Sequence, residues 1–317
     1  MHSMHDGRFA PSPSGPLHLG NLRTALLAWL HARAAGGRFL LRIDDLDPDR
    51  SRPEHERSQL EDLARIGIDW DGEPMRQTER LERYADVLAQ LDAAGATYPC
   101  FCSRAEVRAA STAPHGSGPD APYPGTCATL AMADAMRRIA AGDPHCIRVR
   151  ADGASIGFDD ELLGRVEAVV DDFVVRRRDG VPAYNVASPI DEADLGIEVV
   201  VRGADLAPTT PRQLWIAERA ELAVPRFLHV PLVVGPDGER LAKRHGATSL
   251  DELGAVGIGP ARVVALLGES LGLTPAGPVA GAADLLESFD LARLPRTPVT
   301  IDIETDSVDG STDLPRS

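Results

Sequence analysis

The sequence predicts an α/β fold, and three observations carry that expectation. The first fifty residues read as a strand, a Gly/Pro-rich turn, a helix with an apolar face and a second strand. Two more helical stretches follow. Strand-like runs then return after a segment of different composition.

Taken in order, a strand is expected around Arg8–Ala10, then the turn Pro11-Ser-Pro-Ser-Gly-Pro16, then a helix opening near His18 to Asn21. Leu22, Ala25, Leu26, Trp29 and Leu30 give this helix its apolar face, and Gly36-Gly37 ends it before a strand over Phe39–Ile43. Helices are predicted over about 53–66, with Pro53 in the first turn and Glu54 and Glu56 at its positive end, and over about 78–94, closing at Gly95. From Tyr98 to Pro144 the character changes: Cys100 and Cys102, a Ser/Pro/Gly-rich loop over 111–125, Cys127, and a helix over 130–140. This reads as an insertion with little core of its own. Ile147–Arg150, a hairpin over Phe173–Gly180 and the strand Ile197–Val201 are expected to supply the second half of the sheet. A last helix is expected over 260–273. The terminal residues, with Asp302, Glu304, Asp306, Asp309 and Asp313 against one arginine, predict a disordered acidic tail.

Composition narrows the function classes. The 317 residues carry 48 acidic and 33 basic side chains, a formal charge of −15, which excludes unselective coating of nucleic acid or anionic membrane and confines any RNA contact to a local surface. A hydrophobic content of 43% with 26% charged residues is that of a folded globular protein. There is neither an apolar run of membrane-spanning length nor a signal-like N-terminus, so a cytoplasmic location, no membrane partner and a monomer are expected. In a reducing compartment the four cysteines suggest metal ligation or burial rather than disulfides.

Two segments carry candidate chemistry. Ser14-Gly-Pro-Leu-His18-Leu-Gly20-Asn21 lies at a strand-to-helix junction, where backbone N–H groups and the helix dipole favour phosphate and His18 adds a side-chain donor. Arg240-Leu-Ala-Lys243-Arg-His245 forms a cationic loop after an apolar strand, and Lys243 is the only lysine in an arginine-rich chain. A compact ammonium differs from a guanidinium fork in phosphate contact, so phosphate binding is the favoured reading over a solvated basic loop.

Together these segments, preceded by Arg8-Phe9-Ala10-Pro11-Ser12, resemble the class I aminoacyl-tRNA synthetases of the glutamate type: His18-Leu-Gly20-Asn21 matches the HIGH signature and Leu241-Ala-Lys243-Arg244 the KMSKS signature. Arg42-Ile-Asp-Asp-Leu-Asp-Pro-Asp-Arg50, Asp179-Gly-Val-Pro-Ala-Tyr184, Glu198-Val-Val-Val-Arg-Gly-Ala-Asp205 and Pro211-Arg-Gln213 fall in the family's order. Full-length members continue into a helical anticodon-binding domain, for which the residues after 275 are too few. The resemblance is therefore to the truncated, queuosine-directed branch, whose closing segment is similar to Phe289-Asp-Leu-Ala-Arg-Leu-Pro-Arg-Thr-Pro298.

The resemblance implies a Rossmann-type catalytic domain in two halves, 7–97 and 146–250, interrupted by a zinc-stabilised insertion at 98–145 and followed by a short helical segment at 251–298 and the tail at 299–317. It implies that ATP, with Mg²⁺, and L-glutamate form glutamyl-adenylate without tRNA, and that the glutamyl group passes to the queuosine of tRNA(Asp). His18 and Lys243 would be catalytic, with Gly20 and Asn21 also at the ATP. Glutamate would meet Arg8, Phe9, Ala10, Pro11, Ser12, Asp44, Tyr184 and Arg202, the two guanidiniums suiting a ligand with two carboxylates. The sequence departs from the family pattern at Asp44, where Glu is usual, at Ala242, where KMSKS has Ser, and at Asn21, where HIGH ends in His.

From spacing alone, Cys100, Cys102 and Cys127 fit a soft-metal site or small buried thiols. The resemblance implies one structural Zn²⁺ per chain with Tyr123 as fourth ligand, and His115 in the same loop competes for that place. Two alternatives stay open: a truncated glutamyl- or glutaminyl-tRNA synthetase charging a tRNA 3′ end, and a catalytically inactive zinc-stabilised RNA-binding relic.

Overall fold

The computed structural model describes residues 5–103, 105–107, 123–235, 237–239, 241 and 248–301. Lys243, His115 and the acidic residues after 301 lie outside the described residues.

The chain opens with β1 (Gly7–Phe9), α1 (Leu19–Ala34), β2 (Phe39–Ile43), α2 (Pro53–Arg65), β3 (Met75–Arg76) and α3 (Leu81–Ala93). It continues through β4 (Thr97–Cys100), α4 (Met132–Ala140), β5 (Cys146–Val149), β6 (Ser155–Asp160), β7 (Gly164–Val169) and β8 (Val174–Arg176). It closes with α5 (Tyr184–Asp194), β9 (Val199–Gly203), α6 (Thr210–Arg219), β10 (Arg226–Val230), α7 (Leu250–Ala255) and α8 (Pro260–Ser270).

A seven-stranded sheet runs in the order β3-β2-β1-β9-β10-β6-β7, parallel throughout except for the antiparallel β6–β7 hairpin at one edge. The chain travels outward from β1 through β2 to β3, and later returns on the other side of β1 as β9. The crevice beyond the carboxyl ends of β1 and β9 is thus a topological switch point, where open parallel sheets bind ligands. Residues 8–12 and 202–205 emerge there.

Two sequence expectations need correction. The runs at Ile147–Arg150 and Phe173–Gly180 do not extend the main sheet: β5 and β8 join β4 in a separate antiparallel sheet of three strands, and the expected hairpin is reduced to one bridge, Arg176 to Pro182. Helix α1 is not amphipathic either, because nearly every residue from Leu22 to Ala32 is buried. The sheet covers one side of it. Val263, Val264, Leu267 and Leu271 of the C-terminal helical region share its core cluster, together with Leu285 and Leu294. Strands β6, β7 and β10 and helices α5 and α6 have no counterpart in the sequence reading. In α5 the internal Pro189 and the buried Asp191 and Glu192 break the helical pattern of apolar residues.

Among the described residues, no helix is long and apolar enough to cross a membrane.

Candidate active site

His18 precedes α1 in an extended conformation and caps it. Its Nδ1 accepts from the backbone N–H of Gly20 at 3.1 Å and of Asn21 at 3.3 Å, while Asn21 Oδ1 accepts from the His18 N–H at 3.3 Å. Leu19 donates its own N–H to Thr248 O at 2.9 Å. The backbone donors that the sequence reading offered to phosphate are therefore already taken by the cap. With Nδ1 an acceptor, the neutral ring carries its proton on Nε2. Gly20 leaves room for this packing, since a Cβ there would stand 3.0 Å from His18 Cε1 and press on the ring.

A cleft of about 610 Å³ opens beside this helix start. Of the sequence-predicted residues, Arg8, Phe9, Ala10, Ser12, His18, Gly20, Asn21, Tyr184 and Arg202 all line it. Pro11 and Asp44 do not, although the Asp44 N–H donates to Pro11 O at 2.9 Å just behind the wall. The sequence reading missed Arg23 and Arg50, which also line the cleft. The segments flanking the cationic loop meet the site: Leu232 and Val233 are in the wall, Leu241 donates its N–H to Val233 O at 3.1 Å, and His18 bridges to Ser249.

The arginines differ in charge environment. Arg8 is buried and ion-paired, with Nη2 2.7 Å from Glu192 Oε1 and Nη1 donating to Val201 O at 3.0 Å. Burial lowers its pKa, against the pull of Glu192. Asp44 is turned away from the cleft onto Arg42, whose Nε and Nη2 bind its two oxygens at 2.6 and 3.2 Å. Burial pushes the Asp44 carboxyl up, with Arg42 opposing. Arg42 also faces Glu192 at 3.7 Å, so Glu192 sits between two guanidiniums. Arg202 has no carboxylate partner among the described residues; it bonds His229, Thr210 and Tyr184. Arg23 is held by Pro231 O at 2.7 Å and by Ser270, and burial draws it down to about 10. The wall is mainly cationic, four arginines with the carboxylate of Asp205, and Arg202, beside the Tyr184 hydroxyl, is placed to pair with a ligand carboxylate.

A second cluster lies in the small sheet. The sulfurs of Cys100, Cys102 and Cys127 are within 4.8 Å of one another, and Tyr123 Oη is 3.3 Å from Cys100 Sγ and 3.6 Å from Cys102 Sγ. Thiolates about 2.3 Å from a tetrahedral ion stand about 3.8 Å apart; Cys102 and Cys127 are 3.6 Å apart, so this donor set fits a metal ion. Hydrogen bonding from Cys146 draws Cys100 down to about 4, helped against burial by Tyr123 and Arg148, which favours the thiolate a metal requires. Burial pushes Cys102 up to about 11. The Arg148 guanidinium lies 3.8 Å over the Tyr123 ring and fixes it. Cys146 pairs in register with Cys100 and bonds its carbonyl, as a buried structural thiol.

Residues 6–298 match the family model for class I tRNA synthetases (E and Q), catalytic domain. A glutamyl-Q tRNA(Asp) synthetase of Nocardia farcinica is 53% identical over 292 residues, 92% of this chain and 91% of that protein. A glutamate–tRNA ligase of Acidithiobacillus ferrooxidans is 43% identical over 250 residues, 77% of this chain but 52% of that longer protein. The crystal structure of a glutamate-tRNA synthetase from Elizabethkingia anophelis superposes with a TM-score of 0.84 at 26% identity, over 96% of this chain and 69% of that one.

Proposed function

The chain belongs to the class I tRNA synthetases of the E and Q type, and from that premise we propose that it activates L-glutamate with ATP and Mg²⁺, without tRNA, and passes the glutamyl group to the queuosine of tRNA(Asp) in the cytoplasm. One observation carries the activation step: a single cleft joins Arg202, a guanidinium with no carboxylate partner among the described residues, to the His18 cap of α1. The queuosine target is supported by the relative from Nocardia farcinica, which bears that name and which this chain matches over nearly its whole length.

Arg202 and Tyr184 hold the side-chain carboxylate of glutamate, and the backbone from Phe9 to Ser12 shapes the amino-acid end of the cleft. Asp44, committed to Arg42, reaches the α-ammonium only through an intervening group. The α-carboxylate attacks the α-phosphorus of ATP and pyrophosphate leaves. His18, with its proton on Nε2, and Lys243 stabilise the charge that develops on the phosphate oxygens, and Gly20 and Asn21 fix the His18 ring. A hydroxyl of the queuosine cyclopentenediol then attacks the acyl carbonyl and AMP leaves, so no covalent enzyme intermediate forms. Cys100, Cys102, Tyr123 and Cys127 would hold one structural zinc, which supplies folding energy to the insertion and no chemistry.

ATP–pyrophosphate exchange in the absence of tRNA tests the activation step. Exchange is expected with glutamate but not with glutamine or aspartate, and Lys243→Ala should lose most of it. No exchange at saturating glutamate would leave the RNA-binding relic. The longer Acidithiobacillus ligase favours a second reading, charging of a tRNA 3′ end. Glutamylation of unmodified tRNA(Glu), or of tRNA(Asp) lacking queuosine, would establish it.

A further inference from the structure

Arg202 leaves the end of β9 and is held at three points, none of them a carboxylate. Nε donates to His229 Nε2 at 3.0 Å, Nη2 to Thr210 Oγ1 at 2.7 Å and Nη1 to Tyr184 Oη at 3.4 Å. An arginine Nε–H can only donate, so His229 presents a lone pair at Nε2 and carries its proton at Nδ1. That proton faces Asp160: Nδ1 and Oδ2 are 2.6 Å apart, and both side chains are fully buried. Asp160 is itself fixed by the backbone. Its Oδ2 also accepts the His229 N–H at 3.0 Å, and its Oδ1 accepts the N–H groups of Leu162 and Leu163 at 3.0 and 2.8 Å.

We propose that Asp160 and His229 are positioning residues for recognition of the substrate's side-chain carboxylate: Asp160 locks His229 as the Nδ1–H tautomer, whose Nε2 lone pair orients Arg202 while leaving its charge for the ligand. The proposal deepens the glutamate reading and rests on it. Arg8 shows the alternative arrangement, since its direct pair with Glu192 compensates the guanidinium internally. Placing a neutral imidazole between carboxylate and guanidinium holds the orientation without completing an ion pair. A glutamate carboxylate then supplies the missing charge, and a glutamine amide cannot. Burial, opposed by the hydrogen bond to Asp160 and reinforced by the nearby Arg202 charge, lowers the His229 pKa, which favours the neutral ring.

The test combines exchange kinetics with the imidazole ¹⁵N spectrum of the full chain, the His229 signals being assigned by their loss in His229→Gln. In the parent protein Nδ1 is protonated and Nε2 is not. His229→Leu, which keeps bulk but offers no acceptor, should raise the glutamate KM roughly ten- to a hundredfold and narrow the preference for glutamate over glutamine, with the ATP KM and kcat little changed. His229→Gln, whose amide oxygen can accept from Arg202 Nε, should recover most of the loss. Asp160→Asn, whose amide can also donate to Nδ1, should shift protonation towards Nε2 and weaken glutamate in parallel. An Nε2-protonated His229 in the parent protein would overturn the proposal, as would equal losses for glutamate and ATP, or a His229→Gln variant no better than His229→Leu. A parent protein that exchanges no glutamate would sink the functional reading instead, and the spectrum would still decide whether Asp160 sets the tautomer.

Discussion

Arg8 and Arg202 reach the same cleft from neighbouring strands, and their partners give them different work. Glu192 lies under Arg8 at 2.7 Å and Arg42 at 3.7 Å and also accepts from Ser188 at 3.0 Å, so it compensates Arg8 and shares Arg42 with Asp44. Glu192→Gln would leave both guanidiniums in a dry site without it. Breaking a buried pair in this way costs about 3–5 kcal/mol, which urea unfolding at pH 7 would measure. Burial opposes ionisation of Glu192, but Arg8 and Arg42 outweigh it and hold the carboxyl below its usual 4.5. Its contribution is therefore present above about pH 4.5 and is lost as pH falls through the lower folded value, so the deficit of the variant should shrink in acid. A deficit that does not change with pH would show that the cost is packing rather than charge. Most of the residues that line the cleft were legible in the sequence because they fall inside recognisable segments. Their supports were not: Glu192 is 184 residues from Arg8, and Asp160 is 69 from His229. An expectation tied to one position, such as Asp44 on the substrate ammonium, could not foresee the competing arginine two residues away.

Among the elements, the β4-β5-β8 sheet carries a small core around the cysteine cluster. Tyr98, Cys100, Phe101, Tyr123, Cys127, Ala135 and Cys146 form its buried cluster, ringed by arginine–aromatic stacks such as Arg138 on Phe101 and Arg150 on Tyr98. A core this small would gain from a bound metal, which can supply roughly 10 kcal/mol or more to folding. We expect one zinc per chain by elemental analysis. Its removal by a strong chelator should lower Tm by several degrees and alter the near-ultraviolet tyrosine signal, while glutamate-dependent exchange persists. Cys102→Ser should do the same without chelator, and an unchanged Tm after complete metal loss would show that the arginine–aromatic packing holds the module alone. The insertion was legible from its composition and thiol spacing. The strands framing it were assigned to the wrong sheet, because local β pattern does not specify a pairing partner, and β5 and β8 are short enough to satisfy either arrangement.

At the scale of the whole molecule, the C-terminal region is part of the catalytic fold. Leu285 and Leu294 complete the core around α1, Arg23 of α1 bonds both Ser270 and Pro231, and Arg296 donates to Leu162 O at 2.7 Å. Val299 then pairs with the segment that enters the cationic loop: its N–H donates to Leu232 O at 3.1 Å and its carbonyl accepts from Val234 at 2.9 Å. No pattern of residues hinted at this, since a lone parallel bridge between residues so far apart has no periodicity to read. Its position has a consequence for ATP. Leu232 and Val233 line the cleft, and the loop that follows them carries Lys243, so the closing segment sets where that loop begins. Val299→Pro removes the donated N–H with little change in bulk. It should raise the ATP KM in exchange several-fold while changing the glutamate KM much less, because Val299 bonds Leu232 and Val234 at the loop entry and not the elements that carry Arg202 and Tyr184. Truncation after Leu294 should enlarge the ATP effect and lower Tm as well. Equal weakening of both substrates by Val299→Pro would mean that the closing segment supports the fold in general rather than the entry to the loop.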